Sequence, residues 1–543
     1  MDILRDNLVI LPILLPLATG ALLFLLDDRL RRAKSAISLI STMLLIVLAI
    51  MLLVSVDGSE PGASVTRTYM LGNWQAPFGI VLAADRLSAL LLMLGAILGF
   101  CAQVYSLARW NTAGPAFFSL VQFLMMGLAG AFLTGDLFNL FVFFEVLLAA
   151  SYGLALHGSG AQRVRAGLHY IAINLAASML FLIGVSLIYG VTGTLNMADL
   201  AVRIPTVAAE DRNLLEAGMG VLGIAFLIKA GAWPLCFWLP TTYAAASAPA
   251  AAIFAIMSKV GIYVILRLSL LLVGDGAGPS ADFGNGVLLY VGMATIAFGT
   301  IGVLASQGVS RLAGYSILVS SGTLLAAVGI DLTNVTSGAL FYLVSSTLTA
   351  SALFLLIELV ERARVAGADI LAVTTEAYGE DDEEIDTEEE EVGLAIPGIM
   401  AILGICFGAV ALLLSGLPPL SGFVAKFAML QGMLAGQIET VPASTWVLVA
   451  LVIISGFAAL IGMTRLGIST FWTSLEGAAP YVRIVELAPV ALLLSLCVAL
   501  TVFGGPVMRY MESTAQALDH PQHYVSDVLE ATPVGASSEE VAH

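Results

Sequence analysis

Runs of near-continuous Leu, Ile, Val, Ala and Phe recur along the whole chain, each close to the ~20 residues that one helical bilayer crossing requires. Fourteen such spans can be placed: 8–26, 36–54, 87–105, 117–134, 137–156, 169–189, 216–238, 246–272, 286–304, 312–330, 338–359, 394–434, 445–471 and 487–504. Hydrophobic residues make up 59% of the 543 and charged ones 11%, against roughly 25% charged in soluble domains. The ten-residue alternation of an outer-membrane barrel is absent. The expected fold is therefore an all-α polytopic membrane protein, set in the lipid bilayer. No soluble-enzyme motif stands out, and nothing suggests nucleic-acid binding.

The twelfth span is too long for one crossing. Pro418, Pro419, Gly416 and Gly422 lie inside it, so it reads as a broken helix. Pro234 interrupts the seventh span in the same way. The two breaks are five spans apart, and an odd-numbered repeat reverses its topology. Paired interrupted helices point to inverted repeats with sites near the midplane. The expected organisation is spans 1–3 (residues 1–110), a first five-helix repeat (111–272, spans 4–8), a second inverted repeat (273–471, spans 9–13), and span 14 with a polar tail (472–543).

Orientation follows from the bases. Placing DDRLRRAKS in the cytoplasm puts Arg109, Arg163, Arg165, Arg311, Arg362, Arg364 and Arg483 on the same side. With an even number of spans, both termini then lie outside. Residues 369–391 hold twelve of the 39 acidic residues and no base, an expected solvated loop on the cytoplasmic side. Residues 190–215 are amphipathic and expected to lie at the outer interface. The four cysteines fall in apolar segments without metal-ligand spacing and read as small core residues, so no metal site is expected.

Only four lysines occur, and three of them, Lys229, Lys259 and Lys426, lie within spans. A lysine at the centre of a bilayer helix costs about 2.5–3.5 kcal/mol on the gentlest scale, so each is a functional candidate. At about 1.5 Å per residue, Lys229 and Lys259 come out roughly 20 Å deep, and Glu145 roughly 12 Å. Lys426 follows the Pro418–Pro419 break, where unwound backbone can offer polar partners. Asp136, in a tight turn, reads as a helix N-cap. One acid and three amines, buried apart, suit a proton path: desolvation lowers a lysine's affinity for its proton and a nearby carboxylate restores it. A static ion pair between helices is the plainer alternative.

GDLFNLFVFFEV around Glu145, KAGAWPLCFWLP, APAAAIFAIMSKVGIYVILR, FYLVSSTLTASALFLL and GLPPLSGFVAKF resemble the antiporter-like subunits shared by complex I and the Mrp-type multisubunit Na+/H+ antiporters. The wording is most similar to the D subunit of the Mrp type, over residues 70 to 505. The resemblance implies that Glu145 and Lys229 form a modulating pair, that Lys259 is the central relay, and that Lys426 is the terminal group. It implies no bound cofactor, several partner membrane subunits in one hetero-oligomer, protons and Na+ as the ions, and the cell membrane of a prokaryote. Many relatives carry histidine where this chain has Ser320 and Ser345, so serines, Ser346 included, and water must bridge Lys259 and Lys426.

The leading expectation is a proton-translocating subunit of a multisubunit cation/proton antiporter. The same path driven by electron transfer, in a complex I-like or hydrogenase-type assembly, is the alternative. A scaffold that has lost transport is a third reading, which retention of Glu145 and all three lysines disfavours.

Overall fold

A computed structural model describes residues 7–58, 65–114, 116–377, 398–435, 441–471 and 482–531. Residues 378–391 of the acidic stretch and the last twelve residues lie outside them. The helices are α1 (Leu11–Leu25), α2 (Arg31–Val56), α3 (Arg86–Ser106), α4 (Phe117–Leu133), α5 (Leu137–Ala155), α6 (Ala161–Thr192), the short α7 (Met197–Arg203), α8 (Ala209–Ala230), α9 (Trp238–Ala245) and α10 (Ala248–Leu272). They continue as α11 (Asn285–Ala305), α12 (Val309–Ile330), α13 (Thr333–Ala377), α14 (Gly398–Ser415), α15 (Ser421–Met433), α16 (Ala443–Phe471), α17 (Ile484–Val502), α18 (Gly504–Asp519) and α19 (Gln522–Leu529).

Among the described residues, twelve helices are long and apolar enough to cross a membrane, and α1 and α4 are shorter apolar helices. The protein is a polytopic α-helical membrane protein. Each expected span is represented, the seventh by α8, with the short α9 lying between it and the eighth, and the twelfth by α14 and α15. Residues 190–215 do not cross: α7 has seven residues, about 10 Å of helix.

The centre of the bundle is α10, buried along its apolar length, with α13 and α12 nearly as enclosed. Small residues permit this. A Cβ on Gly261 of α10 would meet the Ala230 amide nitrogen at 2.8 Å, so the end of α8 packs directly on α10. Outer helices such as α2, α11 and α17 leave large apolar side chains exposed, as lipid-facing surfaces require.

The ends of the spanning helices define two faces. One carries the turns after α1, α3 and α5, with Arg29, Arg109 and Arg163, and is termed the arginine face. The opposite face holds two features that hydropathy did not reveal. Strands β1 (Arg67–Met70) and β2 (Val81–Ala84) form an antiparallel hairpin pairing Arg67 with Ala84 and Met70 with Val81. The segment after span 14, expected only as a polar tail, folds into α18 and α19, which bury Met511, Ala515, Leu518, Tyr524 and Val528. Their polar groups tie distant elements together. Tyr510 donates to the Arg86 carbonyl at 3.0 Å, Asp527 accepts from the Thr66 amide at 3.1 Å, and Asp519 accepts from Thr333 at 2.7 Å.

Candidate functional site

Both helix breaks are built from the same chemistry. Helix α8 ends at Gly231, which adopts the left-handed conformation with φ 74°, and α14 ends at Gly416 with φ 73°. Glycine takes this backbone without a Cβ penalty, so it stops a helix cleanly. Pro234 follows the first break, and Pro418 and Pro419 sit in the second; none can donate to a continuing ladder. Backbone groups at the first break find side-chain partners. Trp238 donates through Nε1 to the Ile228 carbonyl at 3.2 Å, and the Trp233 amide donates to Thr295 of α11 at 2.8 Å.

Lys229 is the penultimate residue of α8 and Lys426 lies early in α15, so each lysine flanks a break. Lys426 Nζ donates to the carbonyls of Leu414 and Ser415, both at 3.1 Å. These are end carbonyls of α14, where the helix dipole also favours a cation. Lys229 is treated differently. It is 5% exposed, its Nζ has no hydrogen-bond partner, and it stands 4.9 Å from the centre of the Phe144 ring. A cation–π contact of this kind contributes about 0.5–2 kcal/mol, less than a set of hydrogen bonds to a buried ammonium.

Glu145, expected as a buried partner of Lys229, is only partly buried. It accepts from Ser178 of α6 at 2.5 Å and makes no ion pair within 4.0 Å of Lys229. Phe144, Phe181 and Phe226 pack edge to face and tilted beside the two groups. The chain brings Glu145 and Lys229 into one region without direct contact. Hydropathy offered no signal for Ser178, because a serine in an apolar helix is unremarkable. Asp136 caps α5 as expected, accepting from the Asn139 amide at 2.8 Å.

Lys259 is 2% exposed, halfway along α10. Its Nζ donates to Ser320 at 2.7 Å and reaches Ser321 at 3.4 Å, and Ser320 donates to Ser346 of α13 at 3.0 Å. The neighbouring Ser345 is bonded to Ser421, the first residue of α15, at 2.8 Å. Ser345 and Ser346 thus face opposite partners, one towards Lys259 and one towards the helix that carries Lys426. A cavity of about 30 Å³ is lined by Lys259, Ser320, Ser345, Ser346, Thr349 and Ser455. At roughly 10–15 Å³ per water, it has room for about two. Beyond Ser455, a Cβ on Gly456 would lie 3.5 Å from Lys426 Nζ.

No histidine enters this chain of groups. His157 sits in the turn after α5, and His169 lies nine residues into α6, exposed, because α6 is 32 residues long and begins before its apolar part. A second buried charge cluster went unread in the sequence. Arg267, eight residues past Lys259 on α10, makes a two-pronged pair with Asp85 at 2.6 and 2.8 Å. It also stacks near Tyr263 and Tyr524. Among the described residues, no group of three or more His, Cys, Asp or Glu could hold a metal ion.

This arrangement has parallels among known proteins. Residues 134–458 match the family described as NADH:quinone oxidoreductase/Mrp antiporter, TM. The chain is 60% identical over 538 residues to a protein of Rhizobium meliloti (strain 1021) named as the D subunit of a probable K(+)/H(+) antiporter, covering 98% of this chain and 99% of that one. It is 35% identical over 533 residues to the D subunit of the Na(+)/H(+) antiporter of Bacillus subtilis (strain 168), covering 96% and 99%. A chain of the Mrp complex from Dietzia sp. DQ12-45-1b superposes with a TM-score of 0.80 at 25% identity, over 97% of this chain and 99% of that one. A chain of respiratory complex I from Thermus thermophilus shares the fold, with a TM-score of 0.73 at 22% identity, over 94% and 99%. By sequence and by fold, the chain belongs to the NADH:quinone oxidoreductase/Mrp antiporter transmembrane family.

Proposed function

We propose that this chain is the D subunit of a multisubunit monovalent cation/proton antiporter and carries protons along Glu145, Lys229, Lys259 and Lys426. The observation that carries the reading is the run of polar contacts from Lys259 through Ser320 and Ser346, with Ser345 and Ser421 leading on towards Lys426. It leads from one buried amine towards the other across the centre of the bundle without histidine. Glu145 and Lys229 serve as the modulating pair: a shift of the partly buried carboxylate towards Lys229 stabilises its proton, and a shift away releases it. Spans 4–8 and 9–13 are assigned to two inverted repeats, with one broken helix in each. The arginine face is assigned to the cytoplasm and both termini to the outside.

The subunit works inside a hetero-oligomer of membrane subunits, as the names of its relatives indicate. Those names include K+ and Na+ as exchanged ions, so both belong in the test. Everted vesicles carrying the whole complex are energised and then given KCl or NaCl while the internal pH is followed. Cation-dependent alkalinisation of the lumen supports the reading. A complex that moves no protons with either salt, while catalysing quinone- or sulfur-linked electron transfer when joined to redox subunits, supports the alternative.

A further inference from the structure

On the face opposite the arginines, a groove of about 310 Å³ runs inward between α8 and α11, with α10 as its floor. Its lining extends from Met219 to Leu227 on α8 and from Leu272 back to Ile265 on α10, a depth of about 10–12 Å. That is most of one leaflet of a ~30 Å hydrocarbon core. The groove is separate from the lysine–serine path.

Its walls have one chemistry. No lining residue is charged, and the one hydroxyl, that of Ser269, donates to the Leu266 carbonyl at 3.1 Å. A cavity so apolar stays dry and takes apolar guests. It opens sideways: Ile224 on α8 and Val287 on α11 line it and are exposed, so it is continuous with the lipid-facing surface. The glycines of α8 divide accordingly. A Cβ on Gly218 would press on Leu187 Cβ at 2.9 Å, so that glycine serves close packing against α6. A Cβ on Gly223 would meet nothing within 4 Å, and one on Gly220 only the Phe283 ring, at 4.0 Å. Both line the groove, and their missing side chains leave it open.

We propose that this groove binds one acyl chain of a phospholipid from the leaflet on this side. The site goes beyond the antiporter reading and does not depend on it. A flexible chain enters sideways from the bilayer and follows the helices inward. A quinone headgroup would find no free polar donor there, because Ser269 spends its proton on Leu266. At the deep end the chain meets Phe226, whose ring lies 5.9 Å from that of Phe144, the ring that Lys229 faces. The lipid thereby packs behind the aromatic group that flanks Lys229.

The whole complex is reconstituted in nanodiscs of phosphatidylethanolamine carrying a trace of the same lipid with a diazirine midway along one chain. Illumination attaches that chain to the side chains beside it, and peptide mass spectrometry locates them. The expected label falls on Leu222, Phe226 or Leu272, which are buried and which lipid reaches only by entering the groove. In Gly223→Leu and Gly220→Leu, whose added side chains fill the groove, that label is expected to fall several-fold. Label on the exposed Met43 and Val47 of α2 is expected to stay constant. Label confined to exposed residues overturns the site, as does label on the three buried residues that survives both substitutions. The wild-type pattern decides the matter if a leucine variant fails to assemble. Loss of the buried label on adding an isoprenoid quinone, at unchanged surface label, gives the groove to the quinone and overturns the phospholipid assignment.

Discussion

Lys259 Nζ donates to the Ser320 hydroxyl at 2.7 Å, in the most enclosed part of the bundle. A charged amine so buried needs a polar acceptor, and Ser320 in turn donates to Ser346. Replacing Ser320 by alanine leaves only Ser321, at 3.4 Å. Exchange by a Ser320→Ala complex is expected to fall at least tenfold, with normal subunit assembly. Ser320→Thr, which keeps the hydroxyl, is expected to retain most of it. Vesicle exchange rates normalised to assembled complex make the comparison.

Gly416 controls where Lys426 can lie. It has φ 73°, and an added Cβ would come within 2.5 Å of Lys426 Cδ. A Gly416→Ala change therefore costs roughly 1–2 kcal/mol of backbone strain and displaces the lysine from the Leu414 and Ser415 carbonyls. The expected outcome is a large loss of exchange with a modest loss of thermal stability, measured by exchange assay and by melting of the solubilised complex.

The Asp85–Arg267 pair predicts a stability effect without a place in the ion path. Breaking a buried pair by removing one partner costs about 3–5 kcal/mol, because the other charge is stranded. Arg267→Met or Asp85→Asn alone is expected to lower the melting temperature sharply. The double change is expected to recover most of it. Thermal unfolding of the four forms of this cycle checks the coupling.

His157, 6% exposed in the turn after α5, donates through Nε2 to the Trp110 carbonyl at 3.0 Å. Burial holds its affinity for a second proton below the ordinary value of 6.5, and Arg163 acts in the same direction. The folded turn thus favours neutral imidazole. Its stabilisation is present above about pH 6.5 and is lost as the pH falls through the lowered folded value. The protection of the amides over residues 157–163, relative to their intrinsic exchange at each pH, is expected to fall on acidification from pH 7.5 to 5.5. In a His157→Gln complex that fall is expected to vanish.

Apolar run length was enough to place the spans, because the bilayer leaves a helix few other solutions. Pro234 marked the first break and Gly416, Pro418 and Pro419 the second, since proline and glycine interrupt a helix even in a bilayer. The three lysines were legible because charge is so rare in this chain. Ser178 and Phe144 were not, since serine and phenylalanine are ordinary in membrane helices and only packing reveals their neighbours. The short hairpin strands and α18 were hidden as well: four-residue strands and a half-polar helix give no long apolar signal. The degree of burial of Glu145 was also beyond hydropathy, which places a residue along a helix but not around it.

The proposed role of Lys259 as the central relay is tested most directly by one comparison. Cation-driven proton exchange is measured in vesicles carrying the whole complex with wild-type or Lys259→Ala chain, assembly being verified in both. The predicted result is loss of exchange, by at least tenfold, with K+ and with Na+ alike. Wild-type exchange by the fully assembled Lys259→Ala complex would contradict it.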